Sequence, residues 1–176
     1  MDKVAVSKYM SYLLRHNPEN LDISKNGYVP ISQLLSKLRR RYPEVDRRFL
    51  EKVVKHGHKR FQIKNDQIRA LYGHSIPVKI TFKNEIKVDT LYHGTTENAA
   101  KKIMQQGLNP QSRNKVHLSI SKEEAERVGT RRTSKPVILK IDVKNAVKNG
   151  ISFYKATDKV YLSNSIPPRF ISRTKN

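Results

Sequence analysis

FQIKNDQIRA, at residues 61–70, says most about the architecture of the first half of the chain. On both sides of Asn65-Asp66, apolar and polar residues alternate, and alternation at period two is typical of strands with one buried face. Asn and Asp tolerate the left-handed conformation that a tight turn requires. The segment therefore predicts a β-hairpin, whose apolar positions are Phe61, Ile63, Ile68 and Ala70.

Three amphipathic helices are predicted ahead of this hairpin, the first ending before Pro18 and the second beginning after Pro30. The third starts at the cap Asp46 and ends at Gly57. Their buried faces carry Val6, Tyr9, Met10, Leu13 and Leu14, then Ile31, Leu34, Leu35 and Leu38, then Phe49, Leu50, Val53 and Val54. Three helices and a hairpin are the elements of a winged-helix domain, and we assign residues 1–80 to such a domain. Winged-helix domains commonly bind nucleic acid through a basic helix or through the hairpin, which is called the wing.

Residues 81–176 are predicted to form a second lobe, with the boundary within 76–88, a segment that can itself carry a strand. Strands are predicted at 90–93, 116–119, 137–143 and 159–162. One helix is capped by Thr96 and runs to Gly107, and another follows Ser121, which has capping-box spacing to a glutamate. This alternation indicates an α+β fold, and no glycine-rich fingerprint of a Rossmann domain is present.

The chain has 176 residues and a formal net charge of +21, from 36 Lys and Arg against 15 Asp and Glu. The excess is divided almost evenly, with +10 in residues 1–80 and +11 in residues 81–176. Such a surface gains free energy from binding nucleic acid, because binding releases condensed counterions. We therefore expect a nucleic-acid partner, since solubility alone does not need this imbalance.

The residue types that the chain lacks exclude several kinds of site. Without cysteine there are no disulfides, thiolate metal sites or cysteine nucleophiles. The six histidines lack zinc-site spacing, and His56 and His58 diverge at a helix end, so we expect no metal. No signal peptide is visible, and no apolar run reaches the roughly 18 residues of a membrane span. We expect a monomeric cytoplasmic protein with no membrane segment.

Arg15-His16 stands at the predicted end of the first helix, where two interpretations are open. Cations there oppose the helix dipole, which requires no further role. The pair can also grip a phosphate, because arginine offers a forked donor set and histidine a donor that can transfer a proton. Arg69, on the return strand of the hairpin, is likewise a solvated cation or part of such a grip.

YHGT at 92–95 and HLS at 117–119 form a second pair of candidates. The first puts His93 at a strand end beside a glycine, which permits close backbone approach to a ligand. The second puts His117 and Ser119 on one face of the next strand. On their two strands, the histidines are predicted to form opposite walls of one cleft.

Motifs along nearly the whole chain resemble, in order, those of the RNA 2′-phosphotransferase family of the KptA type. They are SKYMSYLLRHNP at 7–18, GYVPISQLL at 27–35, FQIKNDQIRALYGHS at 61–75, LYHGTT at 91–96, VHLSIS at 116–121, VGTRR at 128–132, KPVILKIDV at 135–143 and VYLSNSIPPRFI at 160–171. The resemblance implies an N-terminal winged-helix RNA-binding lobe at 1–80. It also implies a C-terminal, mixed α/β, ADP-ribosyltransferase-like lobe at 81–176 that binds NAD⁺.

The resemblance further implies a transferase reaction, as in tRNA processing, on RNA that bears an internal 2′-phosphate. That phosphate attacks C1 of the nicotinamide ribose of NAD⁺ and expels nicotinamide, which gives a 2′-phospho-ADP-ribosylated RNA. The adjacent ribose hydroxyl then attacks phosphorus. RNA leaves with a 2′-OH, and ADP-ribose 1″,2″-cyclic phosphate is the second product. NAD⁺ is thus a co-substrate, and the reaction uses no metal.

The site residues are carried over from the family motif by motif. Its catalytic set falls on Arg15, His16, Arg69 and Arg131. Its NAD motif falls on His93, Gly94, Thr95, His117, Leu118 and Ser119. The three arginines and the imidazole, drawn from both lobes, are expected to converge on one phosphorus atom.

Two departures from the family pattern affect these assignments. VGTRRT has Thr133 where the family has glycine, and Arg132 adjoins Arg131. Spacing from Gly129 favours Arg131 as the functional arginine. ALYGHS replaces the family's ANQGHS and alters the approach to His74, although neither change removes a proposed donor.

Two other functions stay open on the sequence. An ADP-ribosyltransferase that caps nucleic-acid phosphates needs the same NAD lobe and stops after the first step. A non-enzymatic winged-helix binder of nucleic acid accounts for residues 1–80 and the charge, but not for YHGTT followed by VHLS.

Overall fold

The chain divides into two compact units, Met1–Thr81 and Phe82–Asn176, each with its own apolar core. The computed structural model describes residues 2–56, 59–82 and 86–174. Within those ranges, no helix is long and apolar enough to cross a membrane. Both units combine helices with antiparallel sheet, so the predicted α+β class is confirmed.

The helices of the first unit lie where the apolar spacing predicts them. They are α1 (Lys3–Arg15), α2 (Ile31–Arg39) and α3 (Arg47–Lys55). The Asp46 carboxylate accepts a hydrogen bond from the Phe49 backbone N–H (2.7 Å), which confirms the predicted cap of α3. Gly57, predicted at the end of this helix, lies outside the described residues, as does His58.

The first unit also contains a small antiparallel sheet. Its strands are β1 (Val29–Pro30), β2 (Phe61–Lys64) and β3 (Gln67–Ala70), in the order β1-β3-β2. The predicted hairpin is confirmed, and Asn65 (φ 48°) and Asp66 (φ 59°) make its turn in the left-handed region. β1 was not predicted, because two residues carry no periodicity; Val29 is identified as a strand residue only by its pairing with Ile68.

The second unit is built on a larger antiparallel sheet. Its strands are β4 (Thr90–Thr95), β5 (Val116–Ser119), β6 (Val137–Asp142), β7 (Phe153–Lys155), β8 (Val160–Ser163) and β9 (Ile171–Arg173), in the order β7-β8-β5-β4-β6-β9. The connections contain α4 (Glu97–Gln106), α5 (Lys122–Gly129), α6 (Val143–Lys148) and a 3₁₀ turn at Pro168–Phe170. The predicted caps are confirmed, because Thr96 and Ser121 each accept a bond from the backbone N–H three residues later.

The structure differs from the prediction at several elements of this second part. Val143, predicted to end a strand, begins α6, because the Asp142 carboxylate accepts from the Asn145 backbone N–H (3.0 Å) and caps that helix. The described residues of 76–88 contain no strand. β7 and β9 lie at the two edges of the sheet and have three residues each, too few for a sequence pattern.

Candidate active site

Arg15 and His16 lie at the C-terminal end of α1, where Ser75 is bound to both. The Ser75 backbone N–H donates to the Arg15 carbonyl oxygen (2.9 Å), and the Ser75 hydroxyl donates to the same oxygen at 3.4 Å. His16 Nδ1 lies 3.0 Å from Ser75 Oγ. The Ser75 hydroxyl thus lies between the Arg15 carbonyl oxygen and the His16 ring, and it can donate to the first while it accepts from the second.

Aromatic rings hold the Arg15 guanidinium. Its Cζ atom lies 4.9 Å from the ring centre of Tyr72 and 5.9 Å from that of Phe61, distances at which a cation is attracted by the ring quadrupole. Gly73, at φ 88°, leaves room for this arrangement, since a Cβ there would lie 3.3 Å from Arg15 Nη1. The sequence ALYGHS, which differs here from the family motif, therefore places the Tyr72 ring beside Arg15, the predicted phosphate ligand.

Arg69 is positioned by several groups, which argues against a loose solvated cation. Its Nε donates to Gln62 Oε1 (3.0 Å), and its Nη1 donates to the Asn26 carbonyl oxygen (3.3 Å). Its Cζ lies 4.5 Å from the ring centre of Tyr28. The Tyr28 hydroxyl donates to the same Gln62 oxygen (3.0 Å), so the ring and the guanidinium are held together.

His74 is a site residue to which the sequence assigned no role. Its side chain is 5% exposed, and its Nε2 has no hydrogen-bond partner among the described residues. Burial is the main cause that lowers its pKa, to about 4, and the positive charges of Arg15, His16 and Arg69 act in the same direction. The structure thus brings these predicted catalytic residues around one neutral imidazole. The GHS motif was the only sequence signal for it.

In the second unit, His93 and His117 lie on the paired strands β4 and β5. His93 Nδ1–H donates to the His117 carbonyl oxygen (3.0 Å), and His117 Nδ1–H donates to the Lys115 carbonyl oxygen (3.0 Å). β4 and β5 pair at Tyr92 and Ser119, and the contact between the His93 ring and the His117 carbonyl brings the two histidines close together. That they form opposite walls of one cleft stays a prediction. Burial lowers the pKa of His93, the bond to the carbonyl opposes that shift, and Arg132 adds to it. His93 is neutral at pH 7, with Nε2 as an acceptor.

The other predicted NAD-binding residues are mostly buried. A Cβ on Gly94 would collide with the backbone carbonyl of Ala125 in α5, so the close approach at this glycine is made by a helix. Leu118 belongs to the apolar core, and it pairs with Tyr161 of β8. Thr95 and Ser119 are also buried. Their role in binding NAD⁺ stays a prediction.

Arg131 and Arg132 follow the end of α5, and both are exposed. The positive charge of Arg132 acts on His93, which connects it to the NAD motif. Thr133, in place of the family glycine, accepts a hydrogen bond from the Lys135 backbone N–H (3.3 Å) and so closes the turn that follows. The choice of Arg131 over Arg132 as the phosphate ligand stays a prediction.

The side chains of the described ranges form no group of three or more His, Asp or Glu that could hold a metal ion. His56 is exposed at the end of α3. Its predicted divergence from His58 involves a residue outside the described ranges.

The protein has an α+β fold, and its first unit gathers Arg15, His16 and Arg69 around the buried His74. The chain matches, over residues 1–165, the model of the family described as RNA 2′-phosphotransferase, Tpt1 / KptA family, and it belongs to that family. It is similar to a probable RNA 2′-phosphotransferase of Acetivibrio thermocellus, at 42% identity over 97% of each chain. A second relative of the same description, from Bacillus thuringiensis, is 39% identical over 97% of this chain and 95% of its own.

Proposed function

We propose that this protein is an NAD⁺-dependent RNA 2′-phosphotransferase that moves an internal RNA 2′-phosphate to NAD⁺. The products are nicotinamide, RNA with a 2′-OH and ADP-ribose 1″,2″-cyclic phosphate. The observation that carries the proposal is the gathering of Arg15, His16 and Arg69 around the neutral His74. Such a group of cations stabilises a phosphate dianion and the charge that develops during its transfer.

The two units support the two lobes of this proposal. Helices α1 to α3 with the β1-β3-β2 sheet match the winged-helix ingredients, and we assign RNA binding to them. The sheet that carries YHGT on β4 and HLS on β5 is assigned to NAD⁺ as an ADP-ribosyltransferase-like lobe. The formal net charge of +21 fits a polyanionic substrate.

Arg15 and Arg69 would clamp the 2′-phosphate, with Arg131 as the third arginine. Arginine suits this role, because its planar fork of donors matches the oxygens of a phosphate. The Tyr72 and Tyr28 rings hold the first two guanidinium groups in place before substrate binds, which lowers the cost of organising the site. Since His74 is neutral, it can bind a phosphate oxygen or an RNA hydroxyl without adding charge.

His16 would donate the proton to the RNA oxygen that leaves in the second step. Its ordinary pKa lies near neutrality, which suits a general acid. Ser75 orients the ring through Nδ1 and leaves Nε2 for that proton. The first step needs no general base, because the attacking phosphate oxygen is already an anion.

NAD⁺ would be held by residues of the two paired central strands, β4 and β5. His93 presents Nε2 as an acceptor for a ribose hydroxyl, since its Nδ1–H is committed to the His117 carbonyl. Gly94 and Leu118 would contribute backbone groups. Thr95 and Ser119 would contribute short polar side chains that are buried beside them.

The test is a short RNA with one internal 2′-phosphate, incubated with the protein, with and without NAD⁺ and with EDTA. We expect nicotinamide, 2′-OH RNA and the cyclic phosphate only when NAD⁺ is present, and the same yield with EDTA. Arg131→Ala should stall the reaction. ADP-ribosylated RNA that accumulates without cyclic phosphate would instead indicate an enzyme that stops after the first step, and RNA binding without turnover would indicate a binder.

A further inference from the structure

Three tyrosines and an arginine form a continuous row on the first unit. The rings of Tyr9 and Tyr12 are stacked, with centres 6.3 Å apart and planes inclined by 13°. Tyr42 meets Tyr9 edge-on, also at 6.3 Å. Arg41 lies over both inner rings, with Cζ 5.2 Å from the centre of Tyr9 and 5.7 Å from that of Tyr42. The row is built from the outer face of α1 and the segment that follows α2.

The outer end of this row is exposed. Tyr9 and Tyr42 pack partly against the core, whereas Tyr12 is 44% exposed. Lys8 lies one turn before Tyr12 on α1 and is exposed, as is Arg41. An exposed ring beside cations is the combination with which proteins bind single-stranded nucleic acid, because every base has a face for stacking and every linkage carries a phosphate.

The row begins next to the predicted proton donor. Tyr12 lies in the last turn of α1, four residues before His16, which caps that helix. Asn17 Nδ2 donates to the Tyr12 hydroxyl (2.8 Å), and the backbone N–H groups of His16 and Asn17 both donate to the Tyr12 carbonyl oxygen (2.9 and 3.0 Å). The ring is therefore held in one position relative to His16.

We propose that Tyr12 stacks on a nucleobase next to the 2′-phosphorylated nucleotide, and that Tyr9, Tyr42 and Arg41 support that ring from behind. The proposal rests on the proposed function, because it takes the 2′-oxygen of the substrate to lie at His16. A stacked neighbour would fix the orientation of the RNA at the phosphate cluster. It would not select a sequence, since all four bases can stack.

The experiment compares two RNAs that carry the same internal 2′-phosphate. In one, the flanking nucleotides have bases; in the other, they are abasic. We expect Tyr12→Ala to lower kcat/KM about tenfold on the first RNA and to leave the second unaffected, because only the first can stack. Wild-type protein should lose the same factor on the abasic RNA. Tyr12→Phe, which keeps the ring, should restore the rate to within about twofold.

Controls separate stacking from other causes. Val4→Ala, an exposed change two turns earlier on α1, should behave as wild type on both RNAs. Equal rates for Tyr12→Ala and wild type on the RNA with bases would overturn the proposal. A loss in Tyr12→Phe as large as in Tyr12→Ala would also overturn it, since the Asn17 bond would then be the cause. If neither the wild type nor any variant turns over RNA, the proposed function fails but the stacking proposal can still be tested. Fluorescence anisotropy would then measure the affinity of each protein for the same two RNAs, and the same differences are expected in binding.

Discussion

The two candidate regions of this protein are assembled in different ways. In the first unit, Arg15 and His16 come from the end of α1 and Arg69 from β3, and they are positioned by aromatic rings, an amide and a serine hydroxyl. In the second unit, His93 and His117 are positioned by strand pairing and by hydrogen bonds to backbone carbonyls. A side-chain cluster should therefore lose function when one member is removed. A backbone-built site should lose stability when its packing is disturbed.

The largest expected effect is in the first unit. We expect Arg15→Ala to lower kcat/KM by about 100- to 1,000-fold, because a preorganised donor to the transferring phosphate is lost. The matched control is Arg47→Ala, whose guanidinium is paired with Glu51 and Asp66 in the same unit. Steady-state kinetics on 2′-phosphorylated RNA would measure both, and equal losses would mean that the cluster has no special role.

The second prediction concerns the packing of the second unit. Gly94→Ala should lower the free energy of unfolding by about 3 kcal/mol, because the new methyl group collides with the Ala125 carbonyl and the helix α5 must move. Gly150→Ala is the control: its φ is 81° with nothing within 4 Å of a Cβ, and about 1 kcal/mol of backbone strain is expected. Urea unfolding followed by circular dichroism would compare them. A smaller loss at Gly94 than at Gly150 would contradict the packing argument.

The third prediction is a pH dependence from His74. Its pKa is about 4 in the folded protein against an ordinary 6.5, so between these values the unfolded chain binds more protons. Stability is therefore complete above pH 6.5 and falls as the pH drops towards 4, by at most about 3 kcal/mol. Unfolding of His74→Gln should show a shallower slope in this window, with the part due to His93 retained, since burial lowers its pKa as well. An unchanged slope would show that His74 is not buried as described.

The smallest expected effect is a shift in the pKa of His93, which distinguishes the two adjacent arginines, Arg131 and Arg132. Arg132→Ala should raise the pKa of His93, because a positive charge that lowers it is removed. Arg131→Ala should stall turnover instead. A nuclear magnetic resonance titration of the His93 ring, set beside the kinetics of both variants, would check the assignment. A pKa that rises in Arg131→Ala and stays constant in Arg132→Ala would exchange their roles.

Regular elements were predictable where the pattern was long enough. The faces of α1, α2 and α3 and the alternation of the β2–β3 hairpin repeat several times, and each was found at its predicted position. β1 and β9 have too few residues to show a period, and they form because a neighbouring strand offers unpaired backbone groups. Asp142 is both the last residue of β6 and the N-cap of α6. The apolar run at 137–143 continues through this boundary, so the pattern does not show where the strand ends and the helix begins.

The sequence by itself determined the chemistry available: a strongly basic chain without cysteine, with arginine and histidine beside short motifs that mark its family. Only the tertiary structure decided how those groups are used. Tyr72 lies beside Arg15, Gln62 holds Arg69, and His74 is buried and neutral because segments far apart in the chain meet there. Neutrality and position depend on desolvation and neighbouring charge, which are properties of packed neighbours and are not encoded in any single motif.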